Sequence, residues 1–181
     1  MGDVKSLSIK KEIKVIIRGI QLSDAPAVLA IQHEVVSEGE FLIPLSKEFN
    51  KTLEQQIEWI QKLIENERET LLVAQVNGEV VGWIVFLSNN RIRLLHTGSI
   101  GLMIKKEYRN MGIGKLLIKE LLSWAEENPL IEKVCLGVFS TNERAIALYK
   151  NMGFVEEGRK IKEFKFNDNE YVDDILMYKF V

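Results

Sequence analysis

The chain has 181 residues, 46% of them hydrophobic and 28% charged, with a formal net charge of -2. That length suits one domain with a sizeable core, and the near-neutral charge offers no electrostatic footprint for nucleic acid. A single cysteine, Cys135, excludes an intrachain disulfide, and no apolar run has the length of a membrane span or the pattern of a signal peptide, which points to the cytoplasm.

Met1 to Lys11 is polar and aperiodic and is expected to fray. The β-branched run Ile13 to Ile17 predicts a strand; Ser23 as N-cap, with Asp24 and Pro26 in the first turn, then predicts a helix carrying Val28, Leu29 and Ile31. After the stretch from Gly39 to Asn50, Leu53, Ile57, Ile60 and Ile64 recur at helical intervals, with Thr52 as N-cap, and predict a second amphipathic helix. Leu71 to Val76 and Val80 to Leu87 form a hairpin through Asn77-Gly78, a dipeptide suited to the positive φ angles of a type I′ turn.

Leu94 to Ile104 reads as the central strand, with His96 inside it. A helix starting near Gly112 places Leu117, Leu121 and Trp124 on one face and Lys115, Lys119 and Glu120 on the other, and Pro129 lies beyond its end. Val134 to Phe139 is the next strand, in which Cys135 is a small core residue rather than a nucleophile. Asn142 to Asn151 is the last helix, and Phe154 to Phe166 pairs with Tyr171 to Phe180 across Asn167-Asp168-Asn169. No repeat, low-complexity tract or linker divides the chain, so residues 1–181 read as one domain.

The most informative stretch is Arg109-Asn110-Met111-Gly112-Ile113-Gly114, between the central strand and its helix. Glycines there admit close approach, and the first helical turn offers unpaired N–H groups and the positive end of a dipole, so an anion is the expected guest. A P-loop is excluded because Gly114-Lys115 follows Gly112 after one residue and precedes Leu116, which cannot ligate magnesium. A dinucleotide fingerprint is excluded because Leu117 stands where its third glycine or alanine belongs.

The turn does fit Arg/Gln-x-x-Gly-x-Gly/Ala, and downstream lies Asn142-Glu143-Arg144-Ala145-Ile146-Ala147-Leu148-Tyr149-Lys150-Asn151-Met152-Gly153-Phe154. With these two signatures the chain resembles the GNAT superfamily of N-acetyltransferases. The two-helix arrangement before the hairpin, the His96 region and Tyr171-Val172-Asp173-Asp174 with Met177 resemble its branch of ribosomal-protein and polyamine acetyltransferases. The resemblance implies an α/β (α+β) fold, a mixed, mostly antiparallel sheet flanked by about four helices. It also implies transfer of an acetyl group from acetyl-coenzyme A to a primary amine of a small molecule or protein by direct attack.

On this resemblance the backbone of Met111, Gly112, Ile113, Gly114 and Lys115 holds the pyrophosphate, with Asn110 in the same turn, while strand backbone at Leu102, Met103 and Ile104 holds the pantetheine arm. Arg109 either contacts a phosphate or shapes the turn, and Asn142 caps its helix while reaching the cofactor arm. Tyr149 matches the general acid, because a phenol of pKa near ~10 stays protonated at neutral pH and donates to a departing thiolate. The base is open: relatives often carry a glutamate on the central strand, but here the segment reads His96-Thr97-Gly98-Ser99. His96, a carboxylate of Glu34, Glu38 or Glu40, or a water relay takes its place.

With two histidines and no spaced Cys/His cluster, no metal site is expected. Nucleic acid and membrane are not expected partners, and a homodimer is compatible with the sequence. Two other readings stand beside the enzyme: a noncatalytic acyl-coenzyme A sensor on the same fold, which Ser99 favours, and an interaction domain that has lost the cofactor, against which the intact glycines argue.

Overall fold

The computed structural model describes residues 14–181, so the expected fraying of Met1 to Lys11, and Ile13, lie outside the described residues. Strand β1, Val15–Gly19, opens the chain. Helix α1 spans Ala25–Glu38, and its start corrects the predicted cap. Ser23 sits inside a 3-10 turn, Leu22–Asp24, and Asp24 organises the entry. Its carboxylate accepts the Gln21 N–H at 2.9 Å and a forked pair from Arg18 at 2.7 and 2.8 Å. The better acceptor wins the position, because a carboxylate bonded to a guanidinium outweighs a neutral hydroxyl.

Helix α2, Leu53–Ile64, begins at Thr52 as expected: the Thr52 Oγ1 accepts the Gln55 N–H at 3.3 Å, and the Gln55 side chain accepts the Thr52 N–H at 2.9 Å. This reciprocal box satisfies two end donors. The buried face is rotated from the predicted one. Gln56, Ile60 and Leu63 are buried while Leu53, Ile57 and Ile64 are exposed, because α2 packs against α1 and β2 along one side only.

Strands β2, Thr70–Val76, and β3, Glu79–Ser88, form the predicted hairpin, with Asn77 at φ 49° and Gly78 at φ 86° in the turn. Strand β4, Thr97–Ile104, is shorter than predicted. Residues 92–94 make a 3-10 turn closed by the Leu94 N–H on the Arg91 carbonyl at 2.8 Å, and Leu95 and His96 form a further turn. The His96 carbonyl instead accepts the N–H groups of Glu132 and Lys133 at 2.9 and 3.2 Å, which anchors the next strand.

Helix α3, Ile113–Glu127, strand β5, Lys133–Phe139, helix α4, Glu143–Asn151, and the hairpin of β6, Val155–Asn167, with β7, Glu170–Phe180, complete the order. The strands make one seven-stranded sheet in the order β1-β2-β3-β4-β5-β7-β6, antiparallel except for β4 with β5. This is the expected mixed, mostly antiparallel architecture. On one face the core of Ile84, Phe86, Leu136 and Met177 packs with Leu117, Ile118 and Leu121 of α3. On the other, Val28 and Ile31 of α1 and Leu63 of α2 cover Val73, Trp83 and Val85. No helix among the described residues is long and apolar enough to cross a membrane.

The pairing that positions the site is the parallel one. Among the described residues β4 and β5 pair only over Thr97–Ser99 with Lys133–Cys135. Beyond Ser99 the two strands part, since β4 continues to Ile104 and β5 to Phe139. Their facing edges carry backbone donors and acceptors that the sheet does not use, and such groups seek a partner.

Candidate active site

A cleft of about 920 Å³ opens where β4 and β5 separate, between the end of α1, the loop of residues 41–44, the turn before α3 and the start of α4. Of the residues predicted to hold the cofactor, Leu102, Met103, Ile104, Arg109, Asn110, Gly112, Ile113, Gly114, Lys115, Asn142 and Tyr149 all line it. Met111 and His96 are not among its lining residues. Met111 is half exposed beside the turn, and His96 precedes β4, at the end of the strand opposite the glycine turn.

The turn has the shape an anion needs. Asn110 at φ 64° and Gly112 at φ 82° are both left-handed, a conformation that favours glycine and tolerates asparagine. Gly112 is the N-cap of α3 and brings no capping side chain, unlike Thr52 on α2 and Asn142 on α4. The first helical bond is the Leu116 N–H on the Gly112 carbonyl at 3.1 Å, so the N–H groups of residues 113–115 stand free of the helix ladder. A β-carbon on Gly112 would meet nothing within 4 Å, whereas one on Gly114 would lie 3.2 Å from Leu148. Lys115 and Arg144, in the first turns of α3 and α4, add positive charge to the cleft wall. No local pattern marks Arg144; it joins the cleft wall because of where α4 packs.

Arg109 is committed elsewhere. Its Nε donates to the Ile104 carbonyl at 2.9 Å, and its two terminal nitrogens donate to Glu38 at 2.7 and 2.6 Å. Of the two roles open to it in the sequence, the geometry supports shaping the turn. The same pair removes Glu38 from the candidate bases. Glu34 sits near the Lys106 N–H at 3.4 Å, and Glu40 lines the cleft.

Asn142 caps α4, its Oδ1 accepting the Ala145 N–H at 3.1 Å, which leaves the amide nitrogen available toward the cleft. Tyr149 is 9% exposed, with its ring edge-on to Phe154 at 5.8 Å, and burial pushes its phenol up to about 12. The hydroxyl therefore stays protonated throughout the physiological range. Ser99 is exposed, opposite Leu87 and Cys135. Cys135 is half-buried, and burial pushes its thiol up, as suits an inert residue.

Asp174, which the sequence gave no role, is a second carboxylate in the cleft. It lies opposite Phe139 in the β5–β7 register and is 9% exposed. Burial pushes its carboxyl up, against the lowering influence of Lys160 on β6. Gly137 makes room for it, since a β-carbon there would sit 2.7 Å from the Asp174 Oδ1. Only the register of β5 on β7 brings the two together, which is why no local pattern signalled them.

Comparison with known proteins identifies the family. The Acetyltransferase (GNAT) family matches residues 37–154. The L-amino acid N-acetyltransferase AaaT of Escherichia coli (strain K12) is 29% identical over 119 residues, 66% of this chain and 73% of that protein. The crystal structure of a GNAT-family acetyltransferase from Streptococcus pneumoniae superposes with a TM-score of 0.88 at 27% identity, covering 93% of this chain and 100% of that one. That of a ribosomal-protein-alanine N-acetyltransferase from Brucella melitensis superposes with a TM-score of 0.80 at 25% identity, covering 92% and 99%. The chain therefore belongs to the GNAT family and is an acetyl-coenzyme A-dependent N-acetyltransferase.

Proposed function

We propose that this cleft transfers the acetyl group of acetyl-coenzyme A to the primary amine of a small molecule or protein, with Tyr149 as the general acid. The observation that carries the reading is the continuity of the parted β4–β5 edges with the uncapped N-terminus of α3, which together fit an extended thioester arm ending in a pyrophosphate. When bound, acetyl-coenzyme A supplies an acetyl group activated as a thioester.

The chain's own residues supply the rest. The free N–H groups of Ile113, Gly114 and Lys115 hold the pyrophosphate with the dipole of α3 behind them. Backbone of Leu102, Met103 and Ile104 pairs with the pantetheine arm as a neighbouring strand would, and Asn142 steadies it from the start of α4. Tyr149 delivers its proton to the leaving sulfur. His96 takes no part in this reading, because it lies away from the cleft.

The test is acetyl-coenzyme A-dependent thiol release across polyamines, peptide N-termini, lysine and free amino acids. Turnover with one of these classes is expected, together with loss of acetyl-coenzyme A affinity in Gly112→Val. Tight acetyl-coenzyme A binding with no thiol release above background in any class would leave the sensor reading in its place.

A further inference from the structure

We propose that Asp174 is the ammonium-binding and proton-accepting group of the acceptor site, and that the acceptor is a primary amine carried on an apolar stem. The proposal deepens the acetyl-transfer reading and rests on it for the proton step.

The placement comes from the sheet. Ser99 pairs with Cys135, Cys135 with Tyr178, and Phe139 with Asp174, and residues opposite one another share a face. Asp174 therefore projects from the same face as Ser99, Gly137 and Phe139. This is the face that α1 and α2 cover over β2 to β4, while neither helix packs to a like extent on β5 or β7. The cofactor's pyrophosphate site is at α3, on the opposite side of the sheet. An amine entering the cleft on this face meets the parted strands from the side away from α3, and Asp174 lines that approach.

Asp174 has a single, loosely held cation partner among the described residues, Lys160. The Lys160 ammonium is 3.7 Å from its Oδ2, beyond hydrogen-bond length. That lysine is also half exposed and shared with Glu163 at 3.3 Å. Lys160 and Glu163, both on β6, are the charged groups that act on it, the first lowering and the second raising its proton affinity. From β5, Gly137, the Val138 backbone and Phe139 face it, and none of them is charged. A buried carboxylate gains more from a direct ammonium partner than one in water does.

Around it the cleft is apolar and aromatic. Phe139 and Phe164 stack with centroids 4.3 Å apart, and both line the cleft beside Asp174. Phe41 to Pro44 line the same cleft from the loop after α1. An apolar stem would lie along the Phe139–Phe164 stack while its ammonium reaches the carboxylate.

The proton accounting then closes. An N–H bond of the ammonium breaks, and the proton goes to an Asp174 oxygen. The neutral nitrogen forms a C–N bond to the acetyl carbonyl carbon as the C–S bond breaks, and Tyr149 protonates the sulfur. The second proton on nitrogen returns to the Tyr149 oxygen, and Asp174 releases its own to solvent. Ammonium and thioester thus give amide, thiol and one proton.

The test compares phenethylamine with phenethyl alcohol, which share ring and stem and differ in charge, by calorimetric titration of the full chain saturated with coenzyme A. The amine is expected to bind about 10- to 100-fold tighter. In Asp174→Asn that preference should vanish while acetyl-coenzyme A affinity and thermal unfolding stay as in the parent. Gly137→Ala, whose methyl group displaces the carboxylate, should also weaken it. Equal binding of amine and alcohol by the parent, or an intact preference in folded Asp174→Asn, overturns the ammonium site.

Thiol release with phenethylamine reads the proton step. Asp174→Asn should lose about 100-fold or more in kcat/KM well below the amine pKa, and less as pH rises toward it and neutral amine accumulates. Undiminished turnover of Asp174→Asn at acidic pH overturns the proton step. An amine preference without thiol release from the parent, with phenethylamine or with any of the polyamines, peptide N-termini, lysine and free amino acids, overturns acetyl transfer, and with it the proton step, while the ammonium site stands.

Discussion

Arg109 and Glu38 tie the turn before α3 to the end of α1 through a forked ion pair, 2.7 and 2.6 Å long, in which neither side chain is more than a quarter exposed. The Glu38 carboxylate holds the Arg109 guanidinium above its ordinary range, and the third nitrogen is fixed on the Ile104 carbonyl at 2.9 Å. The pair bridges the α1 wall of the cleft and its glycine turn. Arg109→Ala and Glu38→Gln should therefore each weaken acetyl-coenzyme A binding. Their combination should fall short of additivity, with a coupling of about 0.5–3 kcal/mol by calorimetry. If Arg109 instead held a phosphate on its own, Glu38→Gln would free its guanidinium and tighten binding.

Tyr149 lends itself to a clean substitution because Phe preserves the ring contact with Phe154, at 5.8 Å, and removes only the hydroxyl. Tyr149→Phe should lower kcat about 100-fold while acetyl-coenzyme A affinity holds. The phenol also leaves a signature in stability. Its folded pKa, about 12, lies above the ordinary 10, so the unfolded chain ionises first, and this contribution is full below pH 10 and lost as pH rises to about 12. Denaturant titrations from pH 10 to 12 should show a shallower fall for Tyr149→Phe than for the parent. Equal slopes would mean the phenol is not held in its neutral form by burial.

What the sequence disclosed was local. Asn77-Gly78 names its own turn because two successive positive φ angles suit few residue pairs, and Thr52 names a helix start because its oxygen bonds a donor three residues away. The glycine turn was legible for the same reason. What it did not disclose depends on distance. Glu38 and Arg109 are 71 residues apart in the chain, and Asp174 meets Gly137 only through a strand register that no periodicity encodes. The exposed face of α2 is not legible either, because its apolar repeat shows that the helix is amphipathic, not how it is rotated on α1 and β2. His96 was drawn into a strand by its apolar neighbours, whereas its carbonyl is claimed by Glu132 and Lys133.

Asn142 carries two functions that substitution can separate. Its Oδ1 caps α4 through the Ala145 N–H at 3.1 Å, and its amide nitrogen is the part available to the cofactor arm. Serine caps a helix about as well as asparagine does, but it is shorter and has no amide donor. Asn142→Ser should therefore keep the parent's unfolding midpoint and bind acetyl-coenzyme A more weakly. Asn142→Ala should lose both, with about 0.5–2 kcal/mol of stability gone by chemical denaturation. Affinity that tracked stability across the two variants would reduce Asn142 to a cap. Affinity lost in Asn142→Ser at undiminished stability would identify the amide as a contact to the pantetheine, placed there because the residue that starts α4 also borders the opening between β4 and β5.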